Sequence, residues 1–109
     1  MGVLKFRFKL LSCAEHICGI NARHVSYQVI NKIEKVNSRC IIVKNLNPDY
    51  YLLFSSVSMI ITEHGSPLAH LAIVARERNM PVLLAEGILS KIPRKGRFSI
   101  KGGMIEIEK

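Results

Sequence analysis

Along its hydrophobic and polar positions the chain is a series of short apolar runs separated by turn residues. At the C-terminal end, Phe98 and Ile100 alternate with polar neighbours, Gly102-Gly103 interrupts, and Ile105 and Ile107 resume the alternation. That pattern predicts a β-hairpin closed by a two-glycine turn, with Gly96 marking the turn before it. At the other end, Val3, Leu4, Phe6, Phe8 and Leu10 are interleaved with Lys5, Arg7 and Lys9, as in an edge strand. Between them, Arg39 to Val43, Val57 to Thr62 and Pro81 to Ala85 are compact, largely β-branched or aliphatic runs that read as buried strands. Val25, Tyr27 and Val29 alternate like a strand, although Ile30, Ile33 and Glu34 fit the start of a helix. Residues 12–23 read as a short irregular or helical link. Asn45-Leu46-Asn47-Pro48-Asp49 is turn chemistry, and Tyr50 to Phe54 fits a short helix.

One segment changes period from two to nearly four. Leu68, Leu71, Ala72 and Ala75 form an apolar stripe at helical spacing. Ser66 suits the N-cap, Pro67 the first helical position, and Asn79 followed by Pro81 the stop. His70 then lies in the first turn, where free N–H groups and the helix dipole favour negative charge, a phosphoryl group included. A strand, a glycine-containing loop and a helix N-terminus, in that order, place a reactive group at the end of a sheet. Short strands with two or three helices predict an α/β domain of mixed sheet layers.

The 109 residues suffice for one domain, taken as 1–109 with 1–20 as an N-terminal extension. Hydrophobic residues at 49% and charged residues at 22% are ordinary for a globular chain and argue against a disordered tail. No apolar stretch approaches the roughly 20 residues of a membrane span. Leu10-Leu11-Ser12-Cys13 has the form of a lipoprotein cleavage box, but Lys5, Arg7 and Lys9 break the apolar run that a signal peptide requires. Gly2 follows Met1, yet Phe6 stands where a myristoylation motif needs Ser or Thr. These readings, with an odd number of cysteines, predict a cytoplasmic protein. Cys13, His16 and Cys18 lack the second ligand pair of a zinc finger. Glu63, His64 and His70 lack the helical i, i+4 histidine pair of many zinc enzymes, so no metal site is expected. A net charge of +8 raises nucleic-acid binding, but the basic residues are dispersed and form no platform with interleaved aromatics. Docking onto acidic partner surfaces, or attraction of phosphate-rich substrates, is the functional reading of that charge.

The run Thr62-Glu63-His64-Gly65-Ser66-Pro67-Leu68-Ala69-His70-Leu71-Ala72-Ile73-Val74-Ala75-Arg76-Glu77, continued by Pro81-Val82, resembles the phosphohistidine segment of the mobile, swivelling domain of phosphoenolpyruvate-utilising enzymes. That family includes phosphoenolpyruvate synthase and pyruvate phosphate dikinase. The resemblance is gap-free over about twenty residues. It departs in three places: Ser66 replaces a glycine, Ala69 replaces the small hydroxyl or thiol residue before the histidine, and Asn79-Met80 replaces Gly-Ile.

The resemblance implies a swivelling β/β/α domain in which His70 is the nucleophile and carries phosphate as a phosphoramidate. It makes Thr62, Gly65 and Arg76 candidate phosphate-binding residues: a hydroxyl donor, a close backbone approach, and a guanidinium fork that could equally serve a fold salt bridge. Glu63 is left to orient His64 or cap a loop. In the family, an ATP-grasp domain and a phosphoenolpyruvate/pyruvate-binding domain supply the remaining chemistry. No Walker-type loop is present, and the length leaves no room for either domain. The expectation is a phosphotransferase component, not catalytic alone, that works in trans with those two partners. It binds no cofactor itself, with Mg²⁺ in the partner domains. The alternatives are a docking or regulatory module of the same fold and a basic nucleic-acid-binding domain.

Overall fold

The apolar runs become strands of one eight-stranded mixed sheet in a computed structural model, which describes residues 4–12 and 22–108. The strands are β1 (Leu4–Arg7), β2 (Lys9–Ser12), β3 (Ala22–Val29), β4 (Cys40–Val43), β5 (Met59–Thr62), β6 (Val82–Leu84), β7 (Lys95–Lys101) and β8 (Met104–Ile107). Their order is β1-β8-β7-β3-β4-β5-β6-β2. One α-helix, α1 (His70–Glu77), and two short 3₁₀ segments, Pro48–Leu53 and Ile88–Ser90, complete the regular structure of the described residues. No helix is long and apolar enough to cross a membrane.

The centre of the sheet explains the continuous apolar runs. β3, β4, β5 and β6 pair in parallel, and every residue of β4 and β5 is buried. Parallel strands covered on both faces need no polar alternation. Their side chains divide by parity between two cores. Cys40, Ile42, Met59, Ile61 and Leu83 point into one cluster with Tyr27, Phe98, Ile100 and Ile105. Ile41, Val43, Ile60 and Val82 point into the other, with Leu71 and Ala75 of α1 and Tyr50 and Leu53 of the first 3₁₀ segment. Burial pushes the Cys40 thiol pKa up, because the thiolate would have no water around it.

The antiparallel half alternates instead. β7 buries Phe98 and Ile100 and exposes Arg97 and Lys101. It connects to β8 through Gly102-Gly103, whose φ values of 59° and 76° suit glycine. The N-terminal alternation divides at Phe8 into two strands at opposite ends of the sheet. β1 pairs with β8, and β2 pairs with β6. Gly96 does not mark a turn but lies within β7, where a Cβ would come within 2.9 Å of Tyr27 Oη. Tyr27 lies against the bare backbone and donates to Pro93 O at 3.1 Å. Ile30 to Ser38 forms no helix after β3. Val3 and the Cys13, His16 and Cys18 set lie outside the described residues.

Candidate functional site

The loop from β5 to α1 sits at the carboxyl end of the parallel strands, and its backbone is pinned as it leaves the sheet. Glu63 N donates to Val43 O at 2.9 Å and His64 N to Lys44 O at 2.9 Å, which continues the β4–β5 ladder for two residues. Thr62 is fully buried, and its hydroxyl donates to His64 O at 2.6 Å. Gly65 follows where the loop passes over the core: a Cβ there would meet Leu46 Cδ1 at 2.9 Å and Leu11 Cδ1 at 3.2 Å. The missing side chain seats the loop on two leucines.

Beyond Gly65 the local start signals are used differently from the expectation. Ser66 and Pro67 do not open the helix. Ser66 closes a turn of its own: its Oγ accepts from Leu68 N at 3.1 Å and its carbonyl from Ala69 N at 3.0 Å. Ala69 then adopts φ −62° and ψ 141°, the extended geometry of an N-cap, and accepts the first helical bond from Ile73 N. His70 is therefore the first residue of α1. Leu68 falls outside the helix and is 82% exposed, whereas Leu71, Ala72 and Ala75 are fully buried.

As an alanine, Ala69 offers the helix no side-chain cap. The opening N–H groups, at His70, Leu71 and Ala72, are the ones that an N-cap hydroxyl would otherwise serve. The other end is well closed. Asn79 takes φ 56°, with Asn79 N donating to Arg76 O at 3.2 Å and Met80 N to Ala75 O at 2.8 Å. These two bonds make a Schellman motif.

Two charged side chains tie the loop to the rest of the fold. Arg76 Nη2 donates to Leu11 O at 3.2 Å and to Pro67 O at 3.3 Å, clamping the turn before His70 to β2. Glu63 Oε2 accepts from Leu89 N at 3.1 Å. It supplies the 3₁₀ segment Ile88–Ser90 with a cap that its own N-cap, Gly87, cannot give. His64 Nε2 is 3.8 Å from Glu63 Oε1, a loose contact on the exposed side of the loop.

Of the candidate residues, His70 stands exposed at the helix start. Thr62, Gly65 and Arg76 gather beneath the loop and meet its backbone or its seat. Among the described residues no group of three or more His, Cys, Asp or Glu side chains forms a metal site. Sequence reasoning missed Leu46 and Leu11 as the seat of Gly65 and Leu89 as the partner of Glu63, since each contact spans a long stretch of chain. Only glycine at 65 hinted at a close approach.

An α/β domain dominated by one mixed sheet, with an exposed histidine at the start of the one α-helix among the described residues, defines the class. Within it, the family model of the PEP-utilising enzyme mobile domain matches residues 36–102, more than half of the chain. The protein belongs to that family, whose theme is a histidine domain that carries phosphoryl groups. No curated protein matches the chain.

Proposed function

We propose that His70 is the phosphoryl acceptor and that the chain carries the group between an ATP-grasp nucleotide-binding partner and a phosphoenolpyruvate/pyruvate-binding partner. The observation that carries this reading is the placement of His70. It is exposed, first in α1, and preceded by an N-cap without a capping side chain. A phosphoryl group on the imidazole there lies close to opening N–H groups and the positive end of the helix dipole.

In the forward step, an imidazole nitrogen lone pair forms the N–P bond while the bond from phosphorus to the donor oxygen breaks. The electron pair leaves with that oxygen, and the second ring nitrogen gives up its proton to solvent, leaving an uncharged imidazole ring that bears an anionic phosphoryl group. Transfer to an acceptor oxygen reverses the sequence. Arg76 and Thr62 contribute first as loop clamps. The Thr62 hydroxyl proton is taken by His64 O, the exposed Arg76 guanidinium keeps further N–H donors beside the loop, and Gly65 keeps the backbone low. The reading places Mg²⁺ in the partner domains and the protein in the cytoplasm, with a swivelling β/β/α layering.

The experiment is phosphorylation of the purified chain and of His70→Ala with labelled phosphoenolpyruvate or β-labelled ATP, supplemented with extract from the source cell. Acid-labile, alkali-stable label on the wild type alone is expected. Absence of label from both donors, in an extract that labels a known carrier, overturns the proposal. The same fold would then act as a docking module, a reading that the missing hydroxyl at Ala69 favours.

A further inference from the structure

Among the described residues, the outer sides of β1 and β7 are lined by exposed side chains. α1 and the first 3₁₀ segment pack on the β4–β6 side, and the β1-β8-β7-β3 half turns its apolar residues inward to the shared core. The other side of β1 and β7 is exposed, whereas that of β3 is covered at Gln28, which donates to Glu34 Oε2 at 3.2 Å and to Lys35 O at 3.4 Å. Along β7 that side carries Lys95, Arg97 and Lys101, and along β1 it carries Lys5 and Arg7, all exposed. Glu106 lies between the two rows, opposite Lys5 on one side and Ser99 on the other.

These cations are not neutralised within the molecule. The ion pairs of the described residues, His24–Glu108 and His64–Glu63, use histidines, and no described lysine or arginine is in one. Glu108, which could balance the face, is already engaged. Its Oε2 lies 2.7 Å from His24 Nδ1 and accepts from Ser99 Oγ at 3.3 Å. His24 reaches it through a β3 irregularity at φ 53°. Beside this knot, Arg23 and Lys101, together with Glu106, line an open cleft of about 490 Å³.

We infer that the outer face of β1, β8 and β7 is a docking surface for an acidic protein segment. Alternate residues of a strand stand about 6.6–6.8 Å apart, and an extended acidic segment repeats its carboxylates at the same interval. The cleft between Arg23 and Lys101 accepts a carboxylate at one end of the rows. A single-stranded nucleic acid would fit the charge but would also need stacking platforms. The aromatic rings of these strands and of β3, Tyr27 and Phe98 among them, belong to the interior cluster. α1 packs mainly on β2 and the first 3₁₀ segment, so a segment bound along β7 and β8 leaves His70 uncovered. The inference does not depend on His70 accepting phosphate.

The test measures binding of a fluorescein-labelled polyglutamate peptide by anisotropy, with oligothymidylate of equal charge as comparator. The proteins are the full chain, Arg97→Glu/Lys101→Glu on the face, and Lys44→Glu/Arg78→Glu at the end of β4 and the end of α1, two variants with the same loss of net charge. His70→Ala is measured alongside. Expected are peptide binding at low salt that weakens as salt rises, a loss of about tenfold or more in the face variant, and little change in the other two. Amide shifts on binding should map to β1, β7 and β8. The inference is overturned by no peptide binding at low salt, by equal loss in both charge variants, or by tighter binding of oligothymidylate.

Discussion

Ala69 is the position where one atom should change both stability and the environment of the reactive histidine. Its dihedrals, φ −62° and ψ 141°, are those of an N-cap, yet the residue provides no side-chain bond to α1. Ala69→Ser places a hydroxyl where it can accept from Leu71 N or Ala72 N, the second and third helical donors, without altering the backbone. Both residues are fully buried, so water is a poor substitute partner for their N–H groups. Gaining such a cap stabilises a helix by about 1 kcal/mol. For a domain of this size that raises Tm by roughly 4 °C. Scanning calorimetry of the wild type, Ala69→Ser and Ala69→Val checks it. The valine variant fills similar space without a hydroxyl and should show no gain. A serine variant with unchanged or lower Tm would refute the reasoning, because the helix start would then already be satisfied.

Gly96→Ala should cost about 1–3 kcal/mol, read as a lower urea midpoint at constant m, since the added methyl meets the rigid ring of Tyr27. Arg76→Ala should speed amide exchange at Leu68 and Ala69 and cost no more than about 2 kcal/mol overall, as two bonds to carbonyls disappear while the buried stripe of α1 stays intact. Cys40 gives a pH test: its pKa is raised from 9.0, so the folded chain keeps a proton that the unfolded chain releases. Stability is then complete below about pH 9 and declines as pH rises further, and urea titrations should show a shallower alkaline decline for Cys40→Ala. In a background lacking Cys13 and Cys18, Cys40 should also resist Ellman's reagent until the chain unfolds.

What the sequence disclosed depended on whether the deciding partner was local. The runs Arg39 to Val43 and Val57 to Thr62 became β4 and β5, trimmed at their ends, because burial on both faces demands unbroken apolar character. The histidine loop was legible for the same reason, as a strand feeding a helix. The start of that helix was not: Ser66 and Pro67 satisfy every local rule, but Ser66 spends its oxygens on a turn that delays the helix to His70. Gly96 looked like punctuation because Tyr27, the residue that requires it, is far away in sequence. Arg76 offered a phosphate ligand or a carboxylate partner, and the structure gives its Nη2 two carbonyls instead. Nothing in the alternation of Leu4 to Leu10 indicates that it divides at Phe8 between opposite ends of the sheet.

That division sets a limit on how the domain can be made or cut. Leu4 pairs with Ile107, so β1 lacks its partner until β8 has been synthesised. Residues 36–102, the span that the family model matches, omit β1, β2, β3 and β8. An excised piece with those bounds would present unpaired backbone along β7, β4 and β6, the arrangement that invites strands from other molecules. The short N-terminal segment thus covers β8 and β6 and makes β1 and β2 the edges of the sheet, and at four residues each they offer a neighbouring strand few backbone groups to pair with.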